Sequence, residues 1–235
     1  MGSRFAMGVF FIVISVFFLF PVCVESSQPV ERTLTGCVIG KTFFDVKPDR
    51  AYAIRFSQAL NLESYEGMTI SVHGWLLPGD FFRIKDGTSP RILQNTCDSS
   101  SIKVINRESS IKYRVNALKT ARNGNFNEAL LLIDKAMSLD NTDCDAYVDR
   151  AQIQCMRNDF ASAAKDLDII KSGKCANPRK ANYLLLEDLG KLFSSKGKRK
   201  EALDAYNLAI ASCLSGTVPE LCRKSIEKEI HNLSK

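Results

Sequence analysis

Apolar and polar positions along this chain follow two different periods. Between residues 33 and 97 the period is two. Ala51–Phe56 reads Ala-Tyr-Ala-Ile-Arg-Phe, and Met68, Ile70 and Val72 alternate with Thr69, Ser71 and His73. Further short runs at 33–39, 81–85 and 91–96 are separated by Gly40, Pro78-Gly79-Asp80 and Asp86-Gly87. Strands of this length at this spacing predict a small antiparallel sheet or barrel. Residues 60–65 predict one helical turn before Gly67. Beyond residue 110 the period becomes about 3.6, which predicts helices. Residues 98–110 hold five serines and predict a linker, with room for a last strand at 102–105 within it.

The first residues show neither period. Residues 5–24 carry no charge and follow a single positive one, Arg4. Pro21 and the small residues near Ser26 complete the pattern of a secretory signal peptide over residues 1–26. Cleavage after Ser26 puts Val24 and Ser26 at the recognition positions. An uncleaved membrane anchor at 5–24 is the alternative, since about twenty apolar residues can span a bilayer. A lipid-attachment site at Cys23 fits less well, because Val22 and Phe20 precede it.

Export changes the meaning of the cysteines. The chain has 235 residues and eight cysteines; removing Cys23 leaves seven. An oxidising compartment permits disulfides among them, and an odd count leaves at least one thiol over. No Cys-x-x-Cys pair occurs, so neither a zinc ribbon nor a redox motif of that kind is indicated. Cys37 lies in the first predicted strand and Cys97 ends the last, and in a closed barrel such strands can be neighbours. Bridging them closes a sixty-residue loop, worth about 4 kcal/mol in the chain-entropy model. Cys213 and Cys222 flank the loop before the last helix and form a second candidate bridge. Cys144 with Cys175 stays open: up-and-down helices bring both to one side, but their separation competes with a limit of about 7 Å. Cys155 is left as the free thiol, and a buried hydrophobe is the commoner fate of such a residue.

In the β-rich part, Gly67, Val72, Gly74 and Leu76 followed by Gly79, Asp80 and Phe82 resemble small OB-like β-barrels of exported bacterial proteins, over residues 33–97. Such barrels often bind oligonucleotides or sugars on one face. Tyr52, Trp75, Phe81 and Phe82 are expected to be packing residues rather than a base-stacking platform. His73 is expected to be structural, with no second imidazole near it in sequence.

The helical part repeats. Asn123–Ala129 and Arg157–Ala163 stand 34 residues apart, with Phe126 recurring as Phe160 and Ala129 as Ala163. A third copy runs over 196–202, 39 residues on, so about five residues are inserted near 174–180. Ala136 and Ala209 follow at the same offset, where the second copy has Ile170. Tyr113 with Ala117, Tyr147 with Ala151, and Leu186 with Gly190 give large-then-small positions upstream. This pattern over residues 110–215 resembles the tetratricopeptide repeat, in which helix pairs stack and small residues let them approach. The helix expected at 220–232 would cap the stack, with Leu221, Ile226 and Ile230 on its apolar side.

The resemblance implies a concave groove lined by the first helix of each pair. Its residues would be Arg114, Leu118, Arg122, Gln152, Cys155, Met156, Lys191 and Ser195. Three are cationic and none is acidic, which suits a protein or peptide partner with acidic segments. Composition adds only exclusions. Formal net charge is +6, from 32 basic and 26 acidic residues, interspersed rather than clustered. That does not argue nucleic-acid binding. Two histidines exclude a His-rich metal site. No nucleophile elbow or phosphate loop is present.

The fold class expected is therefore α+β in two parts: an OB-like antiparallel barrel (27–97), a linker (98–110), and an all-α tetratricopeptide-like solenoid of three pairs and a cap (111–235). The expected function is an exported, secreted or periplasmic, non-enzymatic adaptor or assembly factor, with no cofactor and no metal. The alternative is a glycan-binding barrel whose repeats serve oligomerisation.

Overall fold

A computed structural model of the chain describes residues 28–79, 81–175, 182–213 and 219–233. The signal segment 1–26 and the Asn177-Pro178 start expected for the third pair lie outside the described residues.

Among the described residues six strands form one sheet: β1 (Val30–Ile39), β2 (Thr42–Val46), β3 (Ala51–Phe56), β4 (Thr69–Leu77), β5 (Phe81–Ile84) and β6 (Arg91–Gln94). The order β1-β2-β3-β5-β4 closes through an antiparallel pairing of β1 with β4, from Val30 opposite Leu76 to Cys37 opposite Thr69. β5 runs parallel to β3 and antiparallel to β4, and β6 shares that same edge of β4 nearer its start. This is the expected OB-like barrel of five strands, with β6 appended. Closure needs sharply coiled strands, and two glycines permit it. A Cβ on Gly36 would lie 1.8 Å from the Phe44 carbonyl oxygen, and one on Gly74 would lie 2.1 Å from that of Arg83. Leu34, Val38, Phe43, Ile70, Val72, Phe82 and Ile84 fill the interior.

β2 is absent from the sequence reading. The strand carries Phe43-Phe44 in tandem because both of its faces are covered. Phe43 enters the barrel core, and Phe44 packs outside it beside Ile105. A strand buried on both sides loses the alternation that reveals strands. The β1–β2 turn is Gly40-Lys41, both at positive φ, and the Glu66 carboxylate accepts from both backbone N–H groups, at 2.7 and 3.0 Å.

Among the described residues seven α-helices follow: α1 (Ser99–Arg122), α2 (Phe126–Leu139), α3 (Cys144–Met156), α4 (Phe160–Lys171), α5 (Tyr183–Ser195), α6 (Arg199–Cys213) and α7 (Pro219–Leu233). The expected linker at 98–110 is instead the first half of α1. Asp98 is its N-cap, accepting from the Ser101 N–H at 2.9 Å and from the Ser100 and Ser101 hydroxyls. The serines are cap partners rather than flexible spacer. Ile105 on this half packs against Cys37, Ala51 and Cys97 on the barrel. Ala117 and Ala121 on the other half pack against Ala129 and Ile133 of α2. One helix thus belongs to both parts.

The three pairs α1–α2, α3–α4 and α5–α6 are tetratricopeptide-like. Their turns are built alike. A left-handed residue sits at the centre of each: Gly124, Asn158 and Gly197. The residue after it donates to the carbonyl five positions back, Asn125 to Thr120, Asp159 to Gln154 and Lys198 to Phe193. Glycine adopts that conformation freely and asparagine tolerates it. Ala129, Ala163 and Ala202 are fully buried, as close helix approach requires. Gly190 admits the Tyr206 ring, which a Cβ would meet at 2.5 Å. α7 covers the last pair with Ile226 buried, while Leu221, expected on its inner side, is 70% exposed.

Among the described residues three disulfides are present: Cys37–Cys97, Cys144–Cys175 and Cys213–Cys222, with Cα separations of 5.7, 5.1 and 5.9 Å. The first fastens β1 to the segment that enters α1. The second closes the α3–α4 pair within the ordinary Cα range. The third ties α7 to α6. Cys155 is free and buried. Burial, with Glu201 adding to it, pushes its thiol up to about 12.

Candidate functional site

The first helices α1, α3 and α5 lie side by side, and the expected groove residues differ in where they sit on them. Arg114 is not a groove cation. Its guanidinium is almost covered and is held at 2.7 Å by Asp149, at 2.7 Å by Asp143 and at 3.6 Å by Asp145. All three carboxylates belong to the start of α3 or its cap, Asp143 being the N-cap residue. Gln152 is also turned inward, donating to the Leu185 carbonyl of α5 at 3.0 Å. Asp145 accepts from the Asn182 N–H, at 2.6 Å, at the start of α5. These polar contacts fasten one first helix to the next. Cys155 is enclosed in the core of the second and third pairs.

Charge in this network is lopsided, with one guanidinium facing three carboxylates. Burial pushes the Asp149 carboxyl up to about 6, against the lowering effect of Arg114. Its Oδ1 has no hydrogen-bond partner. Asp143 is likewise raised by burial.

The other expected groove residues remain near the surface. Arg122 and Ser195 are exposed, and Leu118 and Met156 are half-buried. Lys191 is exposed but paired with Glu187 at 2.7 Å, and its ammonium is held above its usual range by that bond. Of the three cations expected to face an acidic partner there, only Arg122 carries an unspent charge. The signal that could have revealed this was the run Asp143, Asp145, Asp149 at the start of the neighbouring helix.

A second concavity, which sequence reasoning missed, lies between the barrel and the first helix pair. It is a cleft of about 950 Å³. The barrel contributes Arg32, Phe44 and Ala51–Ile54; α1 contributes Ile105, Lys112 and Tyr113; α2 contributes Lys135 and Leu139. Its walls depend on α1 reaching back over the barrel, which the linker reading precluded. Tyr52 was expected to be packed and is instead 49% exposed on this cleft. Phe81, also expected to be a packing residue, is 37% exposed and packs beneath the Arg55 guanidinium. Phe82 is fully buried. His73 bonds to the Thr33 hydroxyl at 2.9 Å and to Glu31 at 3.2 Å, a surface network completed by Lys85.

Among the described residues no helix is long and apolar enough to cross a membrane, and no group of three or more His, Cys, Asp or Glu is placed to hold a metal ion.

No family model matches the chain, and no curated protein does. Similar solved structures include a chain of Pseudomonas aeruginosa PilF, at 20% identity and TM-score 0.41, covering 55% of this chain and 54% of that one. The Arabidopsis OM64 tetratricopeptide-repeat domain is another, at 19% identity and TM-score 0.35, covering 53% of this chain and 99% of that one. The chain thus spans about half the length of the PilF chain it matches.

Proposed function

We propose that this protein is an extracytoplasmic, non-enzymatic adaptor that binds a protein or peptide through its repeats. The observation that supports the reading best is the polar cross-linking of the stacked first helices. Polar contacts from Arg114 through Asp145 to Asn182 fix α1, α3 and α5 in register. In this reading Leu118, Arg122, Met156, Lys191 and Ser195, which are exposed or half-buried, form the docking face. A pre-organised helical face lowers the ordering cost of binding an extended partner. Three disulfides suit an oxidising compartment, in keeping with removal of residues 1–26.

Site-specific photocrosslinking in the native compartment tests this. A crosslinker at Arg122 or Ser195 should give a discrete adduct that a crosslinker at Lys165, on α4, does not. Equal labelling from all three positions, or none, overturns the proposal.

A further inference from the structure

The cleft between the barrel and the first helix pair has features that a passive junction would lack. The first is a free strand edge. Four consecutive residues, Ala51 to Ile54, line the cleft. Successive strand residues point to opposite faces, so a space touched by all four wraps around an edge of β3. β2 occupies one edge of β3 from Ala51 to Ile54. On the other edge β5 pairs only with Arg55 and Phe56. The edge along 51–54 therefore has no strand partner among the described residues.

The second feature is charge. Asp45 on the wall is neutralised by Lys47 at 3.1 Å. Arg32, Lys112 and Lys135 are exposed and have no ion pair among the described residues, against Glu108 as the remaining acid on the wall. The third is apolar surface: Tyr52 is half-exposed here beside Phe44 and Leu139. An unpaired strand edge beside apolar walls and unspent cations matches one class of occupant. Backbone pairing gives affinity, side-chain pockets give selection, and the cations favour carboxylates.

We infer that this cleft binds an extended acidic polypeptide segment as an added strand on β3, with its carboxylates facing Lys112 and Lys135. The inference rests on the adaptor reading but places the acidic partner in the cleft rather than in the repeat groove. Glycans and nucleic acids offer no backbone amides to complete a strand.

Displayed random decapeptides selected on the full mature chain, followed by fluorescence-anisotropy titration of the enriched peptide, test it. The expected result is enrichment of acidic, alternating sequences. Lys112→Glu with Lys135→Glu should weaken binding at least tenfold, and methylation of alternate peptide nitrogens should abolish it. Arg122→Glu should leave it within twofold. Both lysines are exposed, so the variants should fold, and an unchanged far-ultraviolet circular dichroism spectrum checks this. No enrichment, or enriched peptides insensitive to the lysine reversals, overturns the cleft assignment. Loss of binding on Arg122→Glu instead would locate the partner in the groove and keep the adaptor reading alone. Binding of an acidic oligosaccharide that displaces the peptide would overturn the strand-addition chemistry.

Discussion

Replacing Arg114 by methionine should cost the fold more than any other single charge removal in the repeats. Methionine keeps most of the stem volume but removes the group that neutralises Asp143, Asp145 and Asp149. Arg114 and Asp149 have side chains only 11% and 2% exposed, so solvent screens little of the change. Two unit charges about 4 Å apart interact by about 4 kcal/mol at an effective dielectric near 20. Part of that gain offsets desolvation in the native protein, but truncating one partner leaves the other charge buried and unpaired. Such removals cost about 3–5 kcal/mol. Urea unfolding of the protein near neutral pH, followed by circular dichroism, reads this directly. The loss should shrink around pH 5, because Asp149 then carries its proton and no longer needs the guanidinium. Arg114→Lys keeps the charge but not the fork that reaches Asp143 and Asp149 together, and should fall between the two. A loss below about 1 kcal/mol, the range of exposed pairs, would refute the argument. So would a loss that does not change between neutral pH and pH 5.

Four further outcomes follow from the same structure. The Asp149 carboxyl sits at about 6 in the fold against about 3.9 unfolded, so the native state holds the extra proton between those values. Its contribution is fully present below about pH 4 and is lost as pH rises through 6; wild-type stability relative to Asp149→Asn should fall by about 2–3 kcal/mol across that window, and a rise would contradict the burial argument. Asp98→Ala removes the cap of α1 and should cost about 1 kcal/mol in thermal or urea unfolding; an unchanged midpoint would restore the linker view of 98–110. Gly74→Ala drives a Cβ into the Arg83 carbonyl and should cost about 1–3 kcal/mol, with loss of amide-exchange protection along β4 and β5; full protection would show that the strands can part without penalty. Cys155 should resist iodoacetamide in the native protein at mildly alkaline pH and react after denaturation without reductant, and mass spectrometry of native labelling at Cys155 would disprove its enclosure.

What the sequence disclosed follows from the range over which each signal acts. The repeat was legible because its markers are local: the turn residues Gly124, Asn158 and Gly197 each precede the small residues Ala129, Ala163 and Ala202 by five positions, even though the third copy stands farther on than the second. Most strands were legible because one face is wet and one dry. β2 was not, because its adjacent Phe43 and Phe44 both make apolar contacts on opposite faces, Phe43 in the barrel core and Phe44 beside Ile105 of α1. The start of α1 was hidden for a different reason. Ser99, Ser100 and Ser101 have the composition of a spacer, and only Asp98 immediately before them marks a cap. Arg114 was misplaced because its partners lie 29 to 35 residues away on the next pair, beyond any reading of one helix face. The cleft required knowing that α1 turns back over the barrel, which no periodicity reports.

The continuous run of α1 from Ser99 to Arg122 has a practical consequence for taking the protein apart. At about 1.5 Å per residue its 24 residues extend roughly 36 Å, and a cut anywhere between residues 98 and 111 divides a helix instead of a tether. A repeat fragment beginning at residue 111 would start on a frayed helix without its cap. A barrel fragment ending at residue 97 would expose the patch around Cys37, Ala51 and Cys97 that Ile105 covers. Dissection therefore has to keep α1 with the barrel or with the repeats, and whichever piece gives it up acquires a bare apolar seam.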